Sequence, residues 1–165
     1  DLATLKRLLE EGVDLEAKDG NGNTALMLAA ANGNIDCLEH LVAKGAKLEA
    51  TEDLGRTALM WAADNGNLDC LKHLVAKGAK LDATDKEKRT ALHWAAYNGD
   101  APCVEALLKA GADARLKDEY GKTALDDAKE QGHTQVIALL ENTAAIAAQA
   151  AAKQAAAKQA AAKQA

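Results

Sequence analysis

The feature that most constrains this chain is a short motif that returns at one fixed interval. Thr24-Ala25-Leu26 comes back as Thr57-Ala58-Leu59, Thr90-Ala91-Leu92 and Thr123-Ala124-Leu125, a 33-residue step each time. Ala29-Ala30, Ala62-Ala63 and Ala95-Ala96 follow in register, and then Asn32-Gly33, Asn65-Gly66 and Asn98-Gly99. Cys37, Cys70 and Cys103 keep the same step, as do Gly45-Ala46, Gly78-Ala79 and Gly111-Ala112. Self-similarity at one fixed period is the mark of a stacked repeat architecture, in which each unit covers the face its neighbour leaves open. A single globule with one deep centre has no reason to repeat itself in this way.

Composition agrees. Forty of the 165 residues are alanine, and phenylalanine is absent. A single packed core leans on large branched and aromatic side chains. Alanine in these numbers favours helices that approach closely over many thin contacts, and argues against a sandwich, a barrel or a deep-pocket enzyme. One Pro and a charged fraction of 27% argue against a disordered chain.

Within each unit the residues predict turn, helix, turn, helix, loop. Thr24 and its equivalents are N-cap residues for a short apolar helix. Gly33, Gly66 and Gly99 end that helix where a left-handed residue is wanted. Ile35, Leu38, Leu41 and Val42 form one stripe of a second, amphipathic helix. Gly45, Gly78 and Gly111 end it, and loops such as Asp53-Leu54-Gly55 and Glu119-Tyr120-Gly121 lead to the next unit.

With these marks in place the chain resembles the ankyrin-repeat family. The family's T-P-L-H-x-A-A element stands here as TALMLAA, TALMWAA and TALHWAA, followed by GN or GD and by HLVAKGAK or ALLKAGAD. The resemblance implies an all-α solenoid of stacked helix-turn-helix units with β-hairpin-like loops. It covers residues 1–142: a partial repeat at 1–19, repeats at 20–52, 53–85 and 86–118, and a C-terminal capping repeat at 119–142. Ala replaces the family's Pro at 25, 58, 91 and 124, so a pre-organised first helical residue is lost. Lys88 takes the usual turn Gly, which predicts a distorted hairpin tip. The motif His survives only as His93, which the resemblance expects to bond turn and inner helix together. Asp126, Asp127 and Lys129 predict a last inner helix that turns a polar face to solvent.

Residues 143–165 are a different kind of sequence. AAAKQ repeats with period five, and Ala, Lys and Gln are all good helix formers. The lysines spiral around such a helix, so the tail has no heptad and no continuous apolar face. No Gly or Pro follows Leu140, so the last outer helix is expected to run on from about Thr134 as a single C-terminal helix, the tail adding roughly 33 Å. The tail also resembles synthetic Ala-Lys peptides; an engineered spacer and a natural low-complexity extension both fit.

Charge narrows the partners. The net charge is −5, and residues 1–142 alone carry −8. Nucleic acid is not expected, because phosphate contacts need clustered Lys and Arg. Membrane insertion is not expected either, since Lys153, Lys158 and Lys163 interrupt the tail. Three cysteines, an odd number at repeat positions, suit a reducing, intracellular compartment better than a disulfide framework. The chain has no N-terminal Met and no secretory signal pattern, and is read as a fragment or a trimmed chain.

Cys37-x-x-His40 and Cys70-x-x-His73 have the spacing of a metal-chelating pair. Yet stacked helices sit about 8–10 Å apart, while metal ligands must converge within about 2.0–2.3 Å. The third repeat also breaks the pattern at Ala106. The cysteines are expected as small buried hydrophobes, with no metal and no cofactor. No phosphate loop, nucleophile elbow or H-E-x-x-H motif is present, and no catalysis is expected.

The four aromatics, Trp61, Trp94, Tyr97 and Tyr120, all fall on inner helices or hairpin tips, which the resemblance places on a concave face. Leu54, Arg56, Asp64, Asn65, Arg89, Asn98 and Lys122 lie beside them, at positions the family varies. Aromatic and Arg side chains dominate interface energetics. These eleven residues form the candidate surface for a protein or peptide partner, although Trp61 and Trp94 also suit packing between repeats. The function expected is a non-catalytic protein-binding module, either a monomer or a subunit of a hetero-assembly. A scaffold subunit docking through repeats and tail, and an engineered repeat scaffold, are the alternatives.

Overall fold

The fold is described from a computed structural model, in which residues 1–164 are placed; the last residue of the predicted extension, Ala165, lies outside the described residues. The described residues form nine helices and no strand. The inner helices α2 (Ala25–Ala31), α4 (Ala58–Asp64), α6 (Ala91–Asn98) and α8 (Ala124–Gln131) begin one repeat step apart. So do the outer helices α1 (Leu2–Glu10), α3 (Ile35–Ala43), α5 (Leu68–Ala76), α7 (Ala101–Ala110) and α9 (Thr134–Gln164).

Each inner helix starts on its threonine. The hydroxyls of Thr24, Thr57, Thr90 and Thr123 accept from the N–H of Met27, Met60, His93 and Asp126 at 3.3–3.4 Å. The cap forms without the family's proline. Where the third helical residue is polar, as His93 and Asp126 are, its side chain returns a bond to the threonine and closes a capping box.

Alanine then sets the stacking. Ala30, Ala62, Ala63, Ala95, Ala96 and Ala128 are fully buried where inner helices meet. Outer helices contribute Leu38, Leu41, Leu71, Leu74, Val104 and Leu107 to the same continuous core. Cys37, Cys70 and Cys103 are buried free thiols, the small hydrophobes expected of them. Burial, with Asp100 beside it, pushes the Cys103 thiol up to about 12.

Two glycines show why the repeat pattern demands them. Gly33 and Gly99 have φ of 67° and 73°. A Cβ there would stand 2.8 Å from Asn67 Oδ1 and 2.5 Å from His133 Nδ1 respectively. Both intruding side chains belong to the next repeat and reach back: Asn67 Nδ2 donates to the carbonyls of Ala30 and Ala31, and His133 Nε2 bonds that of Tyr97.

Two expectations are corrected. The hairpin tip at Lys88 is not distorted. Lys88 takes the left-handed conformation itself (φ 61°), the only described non-glycine to do so, and its N–H still donates to Asp85 C=O at 3.0 Å. Nor is the last inner helix polar wherever it carries charge. Asp126 and Lys129 are exposed, but Asp127 is buried, because it is the equivalent of Trp94 one repeat on and falls on the helix face that meets the preceding repeat.

Candidate functional site

The hairpins share one construction. Asp19, Glu52, Asp85 and Asp118, one at the same place in each repeat, each use one carboxylate oxygen to accept from two N–H groups, two and four residues on. Neighbouring tips are tied by backbone: Asp53 N–H donates to Asn21 C=O, Lys86 N–H to Leu54 C=O and Glu119 N–H to Glu87 C=O, at 2.9–3.2 Å. The tips therefore form a row whose spacing does not depend on their outward side chains.

On this frame the structure brings together seven of the sequence-predicted residues. Arg56, half-buried, lies over Trp61 with its guanidinium carbon 3.8 Å from the ring centroid, and 5.7 Å from that of Trp94. The guanidinium carbon of Arg89 also stands over Trp94, 5.2 Å from its centroid. The order is Trp61, Arg56, Trp94, Arg89, a cation–aromatic ladder that crosses two repeats. Arg56 Nε is 3.3 Å from Glu52 Oε1 and its other arm 3.8 Å from Asp64. Asn98 Nδ2 donates to the backbone and side chain of Asp64 and to Trp94 C=O. Exposed Leu54 closes one side of a small cleft of about 100 Å³ over Trp94.

The remaining predicted residues are spread around this ladder. Asn65 Nδ2 caps its own helix on Trp61 C=O. Tyr97 is exposed at the end of α6. Tyr120 is exposed on the fourth tip, where a hydrogen bond to the Glu119 carboxylate holds its phenol above the ordinary value. Lys122 pairs with Glu130 at 2.8 Å, and that pairing raises its ammonium pKa.

Glu52 and Asp85 were missed as members of this region, although their 33-residue spacing could have found them. Burial alone would raise the Glu52 carboxyl, but the N–H groups of Arg56 and Leu54 and the guanidinium outweigh it and hold the group below the usual range. Glu52 thereby fixes Arg56 against Trp61. Asp85 Oδ2 accepts from Trp94 Nε1 at 3.2 Å. The corresponding Trp61 Nε1 is buried and meets no acceptor among the described residues.

His93 bonds its own turn through Thr90 and, beyond that expectation, also reaches the next repeat. Its Nδ1 faces the Thr90 N–H at 3.2 Å, and an amide can only donate. The proton therefore sits on Nε2, which donates to Lys122 C=O of the next hairpin at 3.0 Å.

Stacked helix pairs with a tied row of tips and an aromatic inner face define a helical-repeat solenoid. The family model of ankyrin repeats (three copies) matches residues 1–85 and 81–150, and the chain belongs to that family. The comparison with curated proteins finds no match. Ankyrin repeats are generally protein–protein interaction modules and typically non-catalytic. No described helix is long and apolar enough to cross a membrane.

Proposed function

We propose that the chain binds a partner protein through the concave surface of its second to fourth repeats, gripping an extended peptide or loop. The observation that supports this most is the Trp61–Arg56–Trp94–Arg89 ladder. Arg56 is held by Glu52 and Asp64, Trp94 by Asp85, and Arg89 by Glu87 and Asp118, so little of their side-chain freedom is lost on binding. Leu54, Tyr97 and Tyr120 stand exposed around it as apolar anchors, with Asn65, Asn98 and Lys122 as the polar rim. No reaction is assigned to any of these groups. The buried free thiols suit a reducing compartment.

The test uses peptides selected from a random display library against residues 1–165, with affinity read by tryptophan fluorescence. Leu54→Ala, Tyr97→Ala and Tyr120→Ala change exposed side chains and are expected to leave the unfolding midpoint unchanged. Combined, they are expected to weaken the selected peptides at least ~10-fold, about 1.4 kcal/mol. Peptides that bind the triple variant as tightly as the parent would place recognition on another face.

A further inference from the structure

The third hairpin tip differs in charge from the other three. Residues 85–89, Asp85-Lys86-Glu87-Lys88-Arg89, hold three basic and two acidic side chains. Residues 19–23, 52–56 and 118–122 each hold one more acid than base. The cations on those tips are already paired: Arg56 with Glu52 and Asp64, and Lys122 with Glu130. Within the third tip Arg89 pairs with Glu87 at 3.1 Å, which neutralises that acid. Lys86 and Lys88 are exposed and join no ion pair among the described residues. Lys88 is also the residue that holds a left-handed φ of 61°, where Gly22, Gly55 and Gly121 stand on the other tips. Strain of this kind clusters at ligand-binding positions, and here it keeps on the tip an ammonium that glycine would remove.

We propose that Lys86 and Lys88 bind a carboxylate of the partner, so that the segment held on the concave surface is an acidic one, with an Asp or Glu midway between two apolar residues. This rests on the peptide-binding reading above and names the chemistry of its ligand. Exposed Leu54 and Tyr120 flank the lysines, one repeat before and one after. Stacked helices sit about 8–10 Å apart, and an extended chain advances about 3.3 Å per residue. The two apolar residues of the segment therefore stand roughly five or six positions apart, with the acid about two or three from each. The cleft of about 100 Å³ over Trp94 is lined by Leu54, Arg56, Lys86 and Glu87 as well. It is smaller than the roughly 300 Å³ of a small-molecule site, and suits one side chain next to the acid.

Charge also sets the register. Asp53 and Glu119 occupy the place of Lys86 one repeat before and one after, and both are exposed. A segment shifted by one repeat in either direction would bring its carboxylate to one of these acids, and like charges brought together oppose binding. The places of Lys88 on those two tips are glycines, which offer no charge at all. On a chain of net charge −5 the attraction is local, and salt screens it.

In the test, peptides selected from a random display library against residues 1–165 are sequenced. Each is compared by tryptophan fluorescence with an analogue whose Asp or Glu is replaced by the corresponding amide. Enrichment of one acid between two apolar positions is expected. The amide analogue is expected to bind ~10-fold more weakly at ~50 mM salt, and the gap to narrow at ~500 mM. K86Q/K88Q is expected to close that gap by weakening the acidic peptide alone, with circular dichroism confirming the repeats. Lys88→Gly is expected to weaken the acidic peptide several-fold even though it relieves the strained φ. Peptides that need Leu54, Tyr97 and Tyr120 but show no acidic enrichment would overturn the proposal and leave the binding surface standing. So would acid and amide peptides that weaken equally in K86Q/K88Q. Peptides indifferent to Leu54→Ala, Tyr97→Ala and Tyr120→Ala together would instead overturn the surface itself, and the proposal with it.

Discussion

Lys88 carries backbone strain that its three counterparts avoid. Gly22, Gly55 and Gly121 occupy the equivalent place with φ of 77–83°, a region open to glycine at no steric cost. A side chain there costs roughly 1–2 kcal/mol. Lys88→Gly is therefore expected to stabilise the chain by about 1 kcal/mol, less than the full strain because glycine also gains freedom when unfolded. Urea unfolding measures it, and a lower midpoint would mean that the lysine stem contributes packing that φ does not reveal. Asp127 is strained in another way. Burial raises its carboxyl pKa, the charges of Arg89 and Lys122 only partly opposing this. A carboxyl raised in the folded state penalises folding once it ionises, and the penalty vanishes as pH falls below its unfolded value. Asp127→Asn is expected to stabilise at pH 7.5 by a margin that shrinks towards pH 4. A margin independent of pH would show that ionisation is not its source. Neither position was fully legible in the sequence: Lys88 stood out as a defect, although it takes the left-handed turn conformation itself, and Asp127 as a solvated charge, because its burial depends on the adjacent repeat.

Helix starts were legible for a simple reason. Thr24, Thr57, Thr90 and Thr123 act through atoms three residues off, and Gly33 and Gly99 through their own φ, so local chemistry sufficed. The Arg56–Trp61–Trp94 ladder was legible only as a list of residues. Its order depends on which carboxylate holds which guanidinium, and Glu52 and Asp85 look like ordinary turn acids until the repeats are stacked. Helix α9 combines both cases. Its first turns are pinned by buried Val136 and Leu140, while beyond Thr143 nothing packs against it in the isolated chain. Propensity alone sustains the tail, helped by a nucleus already formed. Removal of residues 144–165 is expected to lower the helical ellipticity while shifting the repeats' unfolding free energy by less than about 0.5 kcal/mol. A larger shift would reveal tail-to-body packing within one molecule.

In a stack each unit answers mainly to its neighbours, so stability is graded along the axis. Helices α4 to α7 are covered on both sides. Helix α1 has no buried residue at all. Amide exchange is expected to be slowest in α4–α7, faster in α9 beyond Thr143, and to reach the unfolding limit first in α1. Uniform protection from α1 to α8 would mean that the repeats open only as one block.

The row of hairpin tips has an evolutionary consequence. Positions 54, 87 and 120 hold Leu, Glu and Tyr, yet the hydrogen bonds that set their spacing run entirely through main chain and through carboxylates two residues earlier. Substitutions at these tips change what the surface presents without being screened for whether the chain folds. Such positions can drift freely, and a lineage of this protein can acquire a new partner by exchanging a few side chains on a scaffold that does not register the change.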